Sequence, residues 1–257
     1  MDLATIGGLI LGISAIFISY TIEGGRLSAI FQFAPIMIVL GGTVGASMVT
    51  TSFKTVISIP TYLRVALFHR PKDPRSVIER IIKMAERARR EGILGLENEL
   101  TESEEPFFRK AMQLVIDGTE ITVLRNILET DIAFVEDRHK RGIELFRKMG
   151  GFAPTMGIIG TVLGLIHTLA NTSDPSKMAI SIASAFIATL WGVATANLIY
   201  LPISDKLKMR NDDELANLEL MMEGATAIQA GDNPRMIRIR LTSFLKPPVQ
   251  SRSPHGS

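Results

Sequence analysis

The sequence predicts an all-α integral membrane protein, with four transmembrane helices and a helical domain outside the bilayer. Three observations predict it. Mean hydropathy is +0.25 although 21% of the residues are charged, so apolar and charged residues must be segregated along the chain. Four stretches match the roughly 20 mostly apolar residues that a bilayer crossing needs. No strand-like alternation of any length lies between them.

The first span, Leu3–Ile22, carries no charge. It lacks a basic leader, is too long for a signal-peptide core, and has no small-x-small cleavage site before Glu23, so it reads as a retained span. The second runs from about Ala29 to Val49, the third from about Phe152 to Ala170, and the fourth from Met178 to Ile203. Between the second and third, Asp73-Pro74 is a helix start: a capping carboxylate followed by proline at the first helical position. Val77, Ile78, Ile81, Ile82, Ala85 and Ala88 then recur at helical spacing until Gly92 and Gly95 interrupt them. Pro106–Ile116 forms a short helix closed by Asp117-Gly118. From Glu120 a long amphipathic helix carries Ile121, Leu124, Ile127, Leu128, Ile132 and Val135 and is expected to run without a break into the third span, up to Gly150-Gly151. Past the fourth span, Asp205–Ala230 is a further helix stopped by Gly231, and the Pro/Ser-rich residues 247–257 read as a disordered tail. The expected organisation is therefore spans one and two in 1–50, a helical domain in 51–149, spans three and four in 150–203, a helical segment in 204–246, and the tail.

Lysine and arginine placement orients the spans. Residues 51–148 hold 18 of the 28 basic residues and the chain from Ser204 onward holds 8, whereas the two short connections hold one each, Arg26 and Lys177. The long segment, the tail and both termini are thus expected in the cytoplasm, and the 23–28 and 171–177 connections outside. A formal net charge of +2 is too small for a nucleic-acid binder, and the lack of cysteine removes disulfides and thiolate metal sites.

Small residues recur four apart in the spans, at Gly8/Gly12, Gly41/Gly45, Gly160/Gly164 and Ala188/Gly192/Ala196, a spacing that lets helix backbones approach closely. No Asp, Glu, Lys or Arg lies inside any span. Ion-translocating proteins carry an ionisable group at membrane depth. This chain offers hydroxyls and an amide instead, at Thr155, Thr161, Ser181, Ser184, Thr189, Thr195 and Asn197, with His167 and Thr168 nearer the external end. Either it moves no ions or a partner helix supplies the carboxylate. Hydroxyls in membrane helices also bond their own backbone, which is the plainer reading of each one. Pro154 and Pro202 sit near the cytoplasmic ends of spans three and four, as kinks or as hinges. No phosphate loop, zinc motif or nucleophile elbow is present, so no enzyme, cofactor or metal site is expected; His69, His139, His167 and His255 are scattered.

Four motifs carry a family resemblance. They are Ala88-Arg89-Arg90-Glu91-Gly92-Ile93-Leu94-Gly95-Leu96-Glu97, the run from Ala153-Pro154-Thr155 to Gly164-Leu165-Ile166, Ala185-Phe186-Ile187-Ala188-Thr189-Leu190-Trp191-Gly192, and Glu223-Gly224 through Gly231-Asp232-Asn233-Pro234-Arg235. In this order, and with two spans on either side of the domain, the chain from Met1 to about Leu245 resembles the A subunit of the bacterial flagellar stator, the MotA/PomA family. The resemblance implies a homopentamer, set in membrane lipid of the bacterial inner membrane, around two B subunits of MotB/PomB type. Each B subunit would supply an intramembrane aspartate, ion flow past which turns the ring against the rotor protein FliG. It further implies that Arg89 and Glu97 contact the rotor, that Pro154 and Pro202 are coupling prolines, and that Thr155, Thr161 and Thr189 line the ion pathway. Sodium-type members resemble this chain at Thr161, where proton-type members often carry alanine, so the implied ion is sodium with proton as the alternative. The rival readings are an ExbB/TolQ-like energiser, which usually has three spans and an external N-terminus, and a scaffold without ion flux.

Overall fold

The computed structural model describes residues 3–68, 72–100, 105–170 and 175–245. The tail from Pro247, His69, His255 and residues 171–174 of the second external connection lie outside them. Among the described residues every regular element is helical. The principal helices are α1 (Leu3–Ile22), α2 (Phe33–Thr50), α3 (Ile59–Phe68), α4 (Pro74–Glu91), α5 (Pro106–Ile116), α6 (Ile121–Ala170), α7 (Pro175–Gln229) and α8 (Pro234–Thr242). Four of them, α1, α2, α6 and α7, are long and apolar enough to cross a membrane.

The chain folds as two compact units, one of residues 1–70 and 137–211, the other of 71–136 and 212–257. The cuts fall inside α6 and α7, because each helix is apolar over one part and amphipathic over the other. The unbroken run from the amphipathic helix into the third span is present: α6 passes the double glycine and Pro154 without a break. A helix absorbs a glycine for about 1 kcal/mol, and tertiary packing easily exceeds that.

In the first unit, the core under the apolar spans gathers Ala66, Phe146, Met149, Ala153, Ala196, Tyr200 and Ile203. Gly142 of α6 is the close-approach point for α3: a Cβ there would lie 2.8 Å from the ring of Tyr62. Ser204 donates to the Ile143 carbonyl at 2.9 Å, and Lys148 donates to the Thr50 carbonyl at 3.1 Å, closing the C-terminal end of α2.

In the second unit, α4 begins as its sequence dictates. Asp73 accepts the Arg75 N–H at 3.0 Å and Pro74 takes the first turn, where its missing N–H costs nothing. Asn233 and Pro234 repeat the device at α8. Ile81, Met84, Met112, Leu124, Leu128, Leu220 and Ile237 fill the core. Glu223 lies at its edge, with only 10% of its side chain exposed. It accepts from Arg125 of α6 at 3.2 Å and pairs with Arg240 of α8, so one carboxylate ties three helices together.

Candidate functional site

The seam between the apolar parts of α6 and α7 is built from small residues. A Cβ on Gly157 would lie 2.9 Å from the Ala188 carbonyl oxygen, one on Gly192 would lie 2.7 Å from the Ala153 oxygen, and one on Gly164 would lie 2.7 Å from the Ala185 Cβ. Backbone therefore rests on backbone, which only glycine and alanine permit. Gly160/Gly164 and Ala188/Gly192 are packing motifs in the expected sense. Gly41 and Gly45 are different: nothing lies within 4 Å of a Cβ on either, and α2 approaches α6 most closely at Gly42, where a Cβ would lie 2.7 Å from Met156 Sδ, with Ile38 near Gly160.

This close approach brings Thr161 and Thr189 together. Their hydroxyl oxygens are 2.5 Å apart, and Thr161 Oγ1 also lies 3.1 Å from the carbonyl oxygens of Gly157 on its own helix and Ala185 on the facing one. A threonine has a single hydroxyl proton. If Thr161 gives its proton to the carbonyls, Thr189 must donate the inter-hydroxyl bond, which leaves the Thr189 lone pairs as acceptors. Four oxygens thus converge across the seam, two hydroxyls and two carbonyls, with no formal charge among them. The backbone bond expected of a membrane threonine is present at Thr161, and the cross-helix bonds are additional to it.

Thr155 stands apart from this pair. It is exposed and donates to the Phe152 carbonyl at 2.7 Å, within its own helix. Pro154 lies next to it inside α6, and the Ala153 carbonyl is the group packed on Gly192. Pro202 follows a π turn, Ala196–Tyr200, in which the Leu201 N–H reaches back five residues to the Ala196 carbonyl. A second π turn, Met37–Gly41, follows Pro35 in α2. Proline withholds one helix hydrogen bond, and a wider turn is one way a helix rearranges around that loss. Hydropathy gives no sign of these turns; the prolines were their only trace in the sequence.

Arg89 occupies the last turn of α4, and Glu97 lies in the 3₁₀ segment Ile93–Glu99 that follows. Gly92 makes the reversal, with a φ of +82° that favours glycine, and Leu96, fully buried, pins the segment to the core. Both charged residues are exposed. Trp191 escaped sequence reasoning except as part of a motif. Its indole N–H donates to the Ile30 carbonyl at 2.9 Å, and its ring meets that of Phe31, which stacks on Phe17 of α1.

Fold and site together define a class: a multi-span membrane subunit whose apolar helices carry paired hydroxyls and no carboxylate of their own. Comparison with known proteins gives the family. Residues 99–220 match the MotA/TolQ/ExbB proton channel family and residues 6–92 match the motility protein A N-terminal family. The chain is 35% identical over 252 residues to motility protein A of Borreliella burgdorferi, covering 98% of this chain and 97% of that protein. It is 36% identical over 245 residues to chemotaxis protein PomA of Vibrio alginolyticus, covering 95% and 96%. Among solved structures, C. jejuni MotAB superposes with a TM-score of 0.90 at 30% identity, covering 100% of this chain and 99% of the other. The flagellar MotAB stator complex from Bacillus subtilis superposes with a TM-score of 0.87 at 30% identity, covering 94% and 95%. The chain belongs to the MotA/PomA family of flagellar stator subunits and is a multi-pass inner-membrane protein.

Proposed function

We propose that this chain forms a ring of five copies around a MotB/PomB-type partner, and that the partner's intramembrane carboxylate works against the Thr161–Thr189 pair. The observation that carries this reading is the four-oxygen cluster across the α6–α7 seam in spans that hold no acid. A carboxylate brought beside it completes an ion path that neither chain has alone. The four-span layout separates this reading from the ExbB/TolQ alternative. The basic residues of 51–148 and of the tail set the domain and both termini in the cytoplasm. There Arg89 and Glu97 are available to the rotor protein FliG, and Pro154 and Pro202 couple the spans to the domain.

The ion is sodium. A partly dehydrated sodium ion is a hard cation and takes several oxygen ligands, whereas a proton needs only the carboxylate and a water. Two hydroxyls beside a carboxylate suit the cation. Swimming speed of cells that depend on this stator, recorded at fixed membrane potential and pH, should rise with external sodium. Thr161→Ala should flatten that dependence and leave the assembly intact. Speed indifferent to sodium in the unmodified protein would return the ion to proton.

A further inference from the structure

The 3₁₀ segment that follows α4 sorts its side chains by the way they face. Ile93 and Leu100 pack against the core of the second unit, and Leu96 is fully buried in it. Leu94 stands outside that core, with 73% of its surface exposed. The backbone holds it there. Gly92 turns the chain with a φ of +82°, and the Gly95 N–H donates back to the Gly92 carbonyl at 3.1 Å. Gly95 lies so close to α4 that a Cβ there would come within 2.9 Å of the Glu91 Cβ. A side chain fixed this way has little backbone freedom left to lose when a partner covers it. Single exposed leucines are common on protein surfaces and carry no message alone. This one is set apart by its neighbours: the reversal that presents it also presents Arg89 before it and Glu97 after it, two exposed charges of opposite sign.

We propose that Leu94 is the apolar anchor of the rotor contact, seated in an apolar socket of the rotor protein whose rim sets an acid against Arg89 and a base against Glu97. This rests on the rotor contact proposed above and adds to it the residue that supplies most of its affinity. Magnitudes decide the assignment. An exposed ion pair changes a binding constant by about fivefold at most, so Arg89 and Glu97 orient the encounter and make it salt-sensitive. Covering a leucine side chain changes the constant by about ten- to a hundredfold. Protein interfaces concentrate their energy in a few central side chains that lose all their water, and leave charges at the rim. Charge complementarity also selects the occupant. An anionic lipid surface would take the leucine and Arg89 but repel Glu91 and Glu97, which are exposed on the same tip. A rim that carries both signs belongs to a protein.

The test uses the full chain, with its membrane partner, in cells whose swimming depends on it. A benzophenone amino acid placed at position 94 should crosslink to the rotor protein on illumination, identified by its mass; the same group at Phe134, 71% exposed on α6, should not. Leu94→Asn keeps the side chain's size and removes its apolar character. It should lower the number of fluorescently tagged copies retained at each motor by about tenfold, while assembly and thermal unfolding stay as in the unmodified protein. Leu94→Met, which keeps both size and apolarity, should swim normally. The double charge reversal at Arg89 and Glu97 separates this proposal from the one beneath it. If the reversal slows swimming while Leu94→Asn swims normally and position 94 captures no rotor protein, the anchor is refuted and the charged contact stands. If neither variant affects swimming and nothing is captured, the rotor contact itself falls and the anchor with it. A Leu94→Asn protein that loses its assembly or melts early would also overturn the proposal, since Leu94 would then be a packing residue.

Discussion

Replacing Gly192 by alanine adds one methyl group where the structure leaves no room for it. The new Cβ would lie 2.7 Å from the Ala153 carbonyl oxygen, 3.1 Å from the Gly157 Cα and 3.3 Å from the Gly157 nitrogen. All three are backbone atoms of α6, so no side chain can swing aside, and the helices must part. Ordinary contact begins near 3.4 Å, so the shortest gap must widen by about 0.7 Å. A comparable separation at Thr161 would take its 3.1 Å contact with the Ala185 oxygen to about 3.8 Å, past hydrogen-bonding range, and would weaken its bond to Thr189. Overpacking of this kind costs about 1–3 kcal/mol. The control is Gly41→Ala, whose Cβ meets nothing within 4 Å. Thermal unfolding of the detergent-purified protein should show a lower midpoint for Gly192→Ala than for Gly41→Ala. Swimming supported by Gly192→Ala should be impaired and less responsive to external sodium. If both variants melt and swim like the unmodified protein, the α6–α7 seam is not a rigid contact and the hydroxyl pair does not depend on it.

Three further substitutions probe other parts of the molecule. Glu223→Gln removes the charge that ties Arg125 and Arg240 to α7; because both arginines stay part-exposed, the loss should be about 1–3 kcal/mol rather than that of a fully buried pair, read as faster proteolytic release of the chain's C-terminal segment. Unchanged proteolysis would make the cluster incidental. Thr43 is fully buried in α2, and its hydroxyl has no hydrogen-bond partner among the described residues; Thr43→Val should therefore be neutral or stabilising by about 1 kcal/mol in thermal unfolding, and a loss of stability would show that the hydroxyl holds a water or another bonded group. Arg89→Glu or Glu97→Lys alone should slow swimming, and the double charge reversal should slow it further, since repulsion replaces attraction; normal swimming by the double variant in a strain lacking other stators would remove both residues from the rotor contact.

Much of this fold was legible in the sequence because it rests on long, one-dimensional signals. Twenty uncharged residues from Leu3 can only be a helix in lipid, since a lipid-exposed strand would leave its backbone groups unpaired. Asp73-Pro74 and Asn233-Pro234 mark their helix starts by local chemistry. The continuity of α6 across Gly150-Gly151 was less legible, because it depends on neighbours. Gly150 faces Leu201, whose side chain would lie 2.5 Å from a Cβ there, so the glycine makes room for α7 and does not end a helix.

The site was legible as a residue set but not as an arrangement. Spacing put Gly41/Gly45 and Gly160/Gly164 on equal footing, yet only the second pair packs, because a four-residue interval defines a face and not what covers it. In the same way Thr155 and Thr161 were candidates of one kind. The difference is that Thr161 faces the partner helix where Gly157 and Ala188 allow backbone contact, so its hydroxyl reaches Ala185 and Thr189, while the Thr155 hydroxyl closes on Phe152. An apolar helix can present a hydroxyl to a second helix only if the backbones come close enough, and small residues set that distance. The glycines that look like mere packing and the threonines that look like mere backbone bonding are thus one device. The first group fixes the separation at which the second can act, so a methyl group at Gly192 and the loss of a hydroxyl at Thr161 should produce related defects in ion response by opposite routes.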